Sequence, residues 1–438
     1  MLLATPSSND LPASPLDNKI PVALVIAPHG SYRTMPYVAT AKRLGLNVVI
    51  ASQGEHSIIS AYSEGLIIDF SKPAEALAII LAAAQTQHFD IVIGTDDSAL
   101  ELAASVANAL NLPHNAIDAA HVARRKDVAR QRLVGYKLNL PEFACVNIKL
   151  TQENETFPLP FPVIVKPLAL SGSRGVIRAN NVAEFLQAVS TIKQIVEQEP
   201  QLDAYEKQSV LVETFIPGQE VAVEGVLTKG ELTILSVFDK PEPLNGPYFE
   251  ETYYITPSRH SRSTLEQLAT HVQIACDAYG LQHGPVHAEC RINDQGVWIV
   301  EVTARTIGGL CSQLFEYTTG CSLEEVIIKN YLGRSFKAAS QLSERAAGVL
   351  MIPIPRAGIL KRVEGLLAAQ KVSGIDDVNI QVREGNQVTP LPMGASYLGF
   401  IFASAKTPQA AEAALREAHE CLNIVIDPLW TLTNTNSV

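Results

Sequence analysis

Apolar and polar positions along the chain follow two rhythms. Between residues 20 and 115, the short apolar runs PVALVIAP (21–28), NVVIAS (47–52), GLIIDF (65–70) and DIVIGT (90–95) are separated by stretches of helical period such as 74–86 and 97–111. A continuous short apolar run is what a strand buried on both faces requires. Strands alternating with helices predict a βαβ series and a doubly wound parallel sheet. Ligands of such sheets gather at the carboxyl ends of the strands. There Pro28, His29 and Gly30 end the first run, and Thr95, Asp96 and Asp97 end the fourth. No GxGxxG follows the first run, so a dinucleotide-binding unit is not supported.

A helical stretch at 116–138, with basic residues from Arg124 to Arg132, precedes a change of pattern. FPVIVKP predicts a strand, SGSRGV a glycine-rich turn, 181–198 an amphipathic helix, and SVLVETFI and EVAVEGVLT further strands. A helix is expected over 262–280, a hairpin from strands 286–292 and 297–304, and a last mixed unit over 345–430 with Pro353, Pro355 and Pro392 at turns.

Length and composition narrow the classes. A chain of 438 residues exceeds one compact core, so two to four units are expected. The net charge is -11 and the basic residues are scattered, which argues against a nucleic-acid partner. No run approaches the ~20 apolar residues of a membrane helix. The polar start lacks a signal-peptide pattern and reads as a flexible tail. Cys145, Cys276, Cys290, Cys311, Cys321 and Cys421 show no zinc spacing and suit reduced thiols in a cytoplasmic protein.

Candidate chemistry concentrates in VHAECRINDQGVWIVEVTAR (286–305). Strand alternation puts His287, Glu289 and Arg291 on one face, and Glu301, Thr303 and Arg305 share a face of the next strand. The glycine of N-D-Q-G suits a three-residue loop, which sets Asn293 opposite Val297 and Glu289 opposite Glu301. Their Cβ atoms are then expected roughly 5 Å apart. Like charges so placed need compensation. A raised pKa on one carboxyl, a divalent cation such as Mg²⁺, or salt bridges to Arg291 and Arg305 would each supply it.

In FPVIVKPLALSGSRGV (161–176), Gly172 and Gly175 allow close approach to a phosphate, while Ser171, Ser173 and Arg174 offer donors and charge. It is not a P-loop, and an ordinary hairpin loop would read similarly. Lys166, inside an apolar strand, needs an anionic partner. In VLVETFIPGQEVAVEG (210–225), Glu213 and Glu220 flank a Pro-Gly break.

Taken in order, Lys126, VIVKP with SGSRGV, VETFIPGQE and HAECRIN…VWIVEVTAR resemble the ATP-grasp superfamily. YFEET (248–252), the T-A-R-T-I-G-G run (303–309) and the C-terminal unit resemble the L-amino acid ligases, which join two amino acids. The resemblance implies a multidomain α/β and α+β chain. It would comprise a tail at 1–19, a pre-ATP-grasp doubly wound sheet at 20–115, an ATP-grasp fold at 116–340 with a lid at about 160–235, and a C-terminal α+β unit at 341–438. It also implies an ATP-dependent ligase using Mg²⁺, with Mn²⁺ as an alternative. Small-molecule carboxylate and amine substrates, amino acids by this likeness, would be its partners, with neither nucleic acid nor membrane; a homodimer is allowed.

Carried over by position, Lys126 and Lys166 would bind ATP phosphates under a loop containing Ser171, Gly172, Ser173 and Gly175. Glu213, Thr214, Phe215 and Ile216 would hold the adenine, and Glu220 the ribose. Glu289 and Glu301 would bind the metal. Arg305, with Lys166, would stabilise the transferring phosphate. Glu251 would meet a substrate ammonium, and Gly308 and Gly309 would shape the carboxylate end of the pocket. The family's Asn after the second metal glutamate is replaced by Thr303. A carboxylase, a nucleotide-precursor ligase and a non-catalytic nucleotide- or amino-acid-binding regulator are the competing readings.

Overall fold

The computed structural model describes residues 19–54, 65–150, 159–335 and 345–429. The expected tail, apart from its last residue, and the expected boundary at 340/341 lie outside the described residues.

The first unit is a four-stranded parallel sheet in the order Gly65–Ile67, Asn47–Ser52, Val22–Ile26, Ile91–Gly94. Its central strand feeds two cores. Ala23 and Val25 pack with Tyr37, Val38 and Ala41, whereas Leu24 and Ile26 pack with Ala76, Ile80, Ala103 and Val106. Burial on both faces explains why these strands read as unbroken apolar runs.

The helical stretch at 116–138 is two helices, Ile117–Arg124 and Lys126–Leu133, separated by Arg125 in an extended conformation (φ -99°, ψ 106°). Asp127 chelates the Arg125 guanidinium, with N···O distances of 3.0 and 2.9 Å, and the Lys126 N–H donates to Leu168 O at 2.9 Å. The break therefore places Lys126 beside the next unit.

That unit is a four-stranded antiparallel sheet in the order Phe143–Asn147, Ser209–Thr214, Val163–Pro167, Ile177–Ala179. The helix Val182–Glu197 covers it with Phe185, Ala188, Val189, Ile192 and Val196. The run EVAVEGVLT, expected within this lid, lies instead in the large sheet as Gln219–Thr228. The Pro217-Gly218 break makes the transfer. Gly218 has φ 134°, and a Cβ there would lie 2.3 Å from Ile292 O, so a side chain could not pass.

The large sheet has eight antiparallel strands. They run in the order Gly296–Thr303, His283–Asn293, Gln219–Thr228, Glu231–Lys240, Tyr253–Thr256, Ala346–Ile352, Gly399–Ala405, Ile375–Ile380. The C-terminal segment thus extends the same sheet. On one face Val221, Val223, Ala288, Cys290 and Val302 pack on Leu268, Val272 and Ala275 of the helix Arg262–Tyr279. Ser261 caps that helix and Gly280, at φ 77°, ends it, a cap being worth about 1 kcal/mol.

The hairpin differs from expectation. Its turn has two residues, Asp294 and Gln295, with Asn293 opposite Gly296. A bulge between the Glu289 and Cys290 pairings leaves Val300 as the extra residue and restores the expected pairing of Glu289 with Glu301.

Candidate active site

Alternation along the large sheet lays polar side chains in rows. Lys240, Glu220 and Arg291 are neighbours across three strands. Beside them, Ala222, Glu289 and Glu301 form a second row, and Glu224, His287 and Thr303 a third. The face opposite is the apolar core, so the odd-even pattern that buries the valines also collects the charges.

Lys240, 2% exposed, is surrounded by carboxylates. Its Nζ lies 2.8 Å from Glu220 Oε1 and 3.0 Å from Glu289 Oε1 and also donates to Glu251. Glu220, Glu251 and Glu289 offer oxygens within 4.8 Å of one another. Three carboxylates around one ammonium leave unbalanced negative charge. Burial, opposed by Lys240 and reinforced by Glu289, pushes Glu251 up to about 7. Burial would also raise Glu289, but Lys240 and the hydrogen bonds from His287 and Glu251 hold it well below the carboxylate range. His287 Nδ1–H donates to Glu224 Oε1 at 2.7 Å, and its Nε2 is 3.8 Å from Glu289. These partners outweigh burial and lift the imidazole to about 9. Arg291 donates to Glu220 at 2.9 Å and to Ile216 O at 2.7 Å.

On the lid side, Lys126 Nζ bridges Glu301 at 2.8 Å and Leu170 O at 2.7 Å. Lys166 finds the anion its burial demanded in Glu213, 2.5 Å away. Arg130 holds the other Glu213 oxygen at 2.6 Å and donates to Ile299 O at 2.9 Å and Val300 O at 2.6 Å, the two carbonyls at the bulge. The glycine-rich loop carries positive φ at Gly172, Ser173 and Gly175. Arg174 turns outward to Glu199 and to Met393 O, and the Gly175 N–H donates to Pro392 O at 3.1 Å.

The parallel sheet closes the third side. Arg305 Nε donates to Asp97 Oδ2 at 2.8 Å, and Thr303 Oγ1 donates to Asp97 Oδ1 at 2.5 Å. Asp97 is held down to about 2: burial would raise it, but Arg305 and Thr303 lower it further. Thr303 therefore orients the partner of Arg305. The Gly309 N–H donates to the Tyr32 hydroxyl at 2.9 Å.

These walls enclose a cavity of about 360 Å³. It is lined by Lys126, Lys166, Ser171, Gly172, Ser173, Glu213, Thr214, Phe215, Ile216, Glu220, Glu251, Glu289, Glu301, Arg305, Gly308 and Gly309. Gly175 is not among the lining residues; a Cβ there would meet Pro167 at 3.2 Å, so its place is a tight turn behind the loop. Sequence reasoning missed Lys240, Arg130, His287 with Glu224, and the Tyr32–Arg33 corner. A lysine closing the apolar run SVFDK was the available signal for the first, as for Lys166. The others depend on long-range packing.

Among the described residues the six cysteines are free, and no helix is long and apolar enough to cross a membrane.

Three family models match the chain: the ATP-grasp domain over 159–314, the ATP-grasp N-terminal domain over 38–114, and the L-amino acid ligase C-terminal domain 2 over 350–427. The crystal structure of an L-amino acid ligase from Bacillus licheniformis superposes with a TM-score of 0.82 at 26% identity, covering 93% of this chain and 100% of that one. A phosphoribosylglycinamide synthetase from Anaerococcus prevotii shares the fold with a TM-score of 0.66 at 20% identity, covering 93% and 100%. The Dapdiamide A synthase of Enterobacter agglomerans is 24% identical over 250 residues, 56% of this chain and 57% of its own length.

Proposed function

The chain belongs to the ATP-grasp superfamily of ATP-dependent ligases, and from that premise we propose that it joins two amino acids through an acyl phosphate. One observation supports the reading above others. A single cavity brings the cations Lys126, Lys166 and Arg305 together with the carboxylates Glu251, Glu289 and Glu301, each in contact with a protein group of opposite sign, with Glu251 and Glu289 sharing Lys240.

A carboxylate is a poor acyl donor because oxide is a poor leaving group. Transfer of the γ-phosphoryl of ATP to one carboxylate oxygen gives an acyl phosphate and ADP. The amine then attacks the acyl carbon, the C–O bond to phosphate breaks, and inorganic phosphate leaves as the new amide nitrogen loses a proton. Lys126 and Lys166 would neutralise the nucleotide phosphates, and Arg305, fixed by Asp97, would face the charge in transfer. The Thr214–Ile216 backbone would read the adenine edge, and Glu220 the ribose.

Glu289 and Glu301 fit a magnesium ion in donor type, both being hard oxygen ligands on adjacent strands with cations already beside them. Bound there, the metal would supply charge neutralisation on the phosphates. Glu251 lines the same cavity and would meet the ammonium group of an amino acid substrate, whose charge would favour the ionised carboxylate against its burial.

Phosphate release measured across the twenty amino acids, singly and in pairs, tests the proposal. Release that requires amino acids and grows with a second one supports it. Release driven by bicarbonate instead would assign a carboxylase.

A further inference from the structure

The cavity wall supplied by the parallel sheet carries a guanidinium whose Nε meets no acceptor among the described residues. Arg33 precedes the helix Thr34–Arg43, and its side chain is 12% exposed. Nη1 donates to Asp96 Oδ1 at 2.6 Å. Asp96 is fixed further by the Ser31 and Thr95 hydroxyls, each donating to Oδ2 at 2.6 Å. The guanidinium carbon stands 4.8 Å from the centre of the Tyr32 ring. The other edge is different. Nε is buried and has no hydrogen-bond acceptor among the described residues, and Nη2 lies where a Cβ on Gly308 would come within 3.1 Å. Arg33 and Gly308 both line the cavity.

A buried donor without an acceptor is costly, and a charged one more so. Here the unmet donor belongs to the Nε–Nη2 edge, a side of the fork that grips a carboxylate through two parallel bonds. Asp96 occupies the Nη1 side and already accepts three donors, so it does not compete.

The reaction proposed above brings two carboxylates into the cavity. One is consumed as acyl phosphate beside Arg305. The other, on the amine-donating amino acid, never reacts and remains an anion in a low-dielectric space, where it needs a cation of its own. Arg130 and Arg291 are spent on Glu213, Glu220 and backbone carbonyls. Lys126 and Lys166 stand on the nucleotide side. We propose that Arg33 seats the carboxylate of the amine-donating substrate, which makes that substrate an α-amino acid rather than a simple amine. The inference rests on the ligase reading and adds a second-substrate determinant to it.

Hydroxylamine separates the two ideas, because it traps an acyl phosphate as a hydroxamate and carries no carboxylate. Each of the twenty amino acids is offered as donor with ATP and hydroxylamine. The best donor is then paired with glycine, L-alanine and L-leucine as acceptors, and with their carboxamides. The unsubstituted protein is expected to prefer each acid over its amide by about ten- to a hundredfold in kcat/KM. Arg33→Met is expected to lose that preference through the KM of the acid, with hydroxamate formation changing far less. Arg33→Lys, which retains a charge for Asp96 but lacks the forked edge, is expected to lose it too. Amides used as well as acids by the unsubstituted protein would overturn the inference. So would a loss of hydroxamate formation in both variants equal to the loss of peptide, which marks a structural role. No hydroxamate from any amino acid would reject the ligase reading, and this inference with it.

Discussion

Glu289 stands opposite Glu301 because two irregularities of the hairpin cancel. The two-residue turn alone would pair Glu289 with Val300 and send Glu301 to the apolar face, since a slip of one residue reverses every side chain. The bulge at Val300 moves the strand on by one and turns Glu301 back toward the cavity. Arg130 holds that bulge by donating to the carbonyls of Ile299 and Val300 while pairing with Glu213.

Arg130→Met should therefore damage both stability and activity. Removing one partner of a buried pair costs about 3–5 kcal/mol, and the bulge carbonyls lose their donors as well. Urea unfolding checks the first effect and phosphate release the second. An unchanged urea midpoint would mean that the bulge is held by strand pairing alone.

Glu289→Gln and Glu301→Gln should each abolish turnover with little loss of fold. Lys240 keeps Glu220 and Glu251 when Glu289 is neutralised. Glu301 is 31% exposed beside Lys126, where a pair contributes about 0–1 kcal/mol. The thermal midpoint in EDTA should move by no more than about 4 °C. A large fall in both variants with activity retained would make the carboxylates structural.

Acid should weaken the protein through Glu213. Burial would raise this carboxyl, but Arg130 and then Lys166 hold it down to about 2, from 4.5. Its stabilisation is complete above pH 4.5 and is lost as pH falls toward 2, amounting to about 3 kcal/mol. Glu213→Gln should be less stable at pH 7 and should show a flatter decline of thermal midpoint across that window. Parallel declines in the two proteins would place the acid sensitivity elsewhere.

The loop at 170–176 has two glycines and two serines, and Ser171 and Gly172 are exposed at its tip. Its amides should exchange quickly in the free protein and slowly with Mg-ATP. Gly175 should exchange more slowly than its neighbours even without nucleotide, because its N–H donates to Pro392 O. Equal protection with and without Mg-ATP would remove the loop from the nucleotide site.

Much of this arrangement was legible in the sequence where local periodicity carries it. The parallel strands announce themselves because both faces are buried, and the polar rows because Glu220, His287, Glu289 and Arg291 keep strict alternation. The turn at Asp294–Gln295 is one residue shorter than its composition suggests, and a bulge that no local pattern marks compensates for it. EVAVEG lies in the large sheet and not with the expected lid, and its alternation reads the same in either sheet. Lys240 and Arg33 acquire their meaning from partners far away in the chain, so their roles emerge only in the fold.

The central claim is that a carboxylate is activated by phosphorylation, and the oxygen it loses reports this directly. The donor amino acid selected by the hydroxylamine panel is labelled with ¹⁸O in its carboxylate and ligated with ATP, and the inorganic phosphate is analysed by mass spectrometry. An acyl phosphate transfers one labelled oxygen to each phosphate released, with ADP as the other product. Unlabelled phosphate, or AMP with pyrophosphate, would contradict the account.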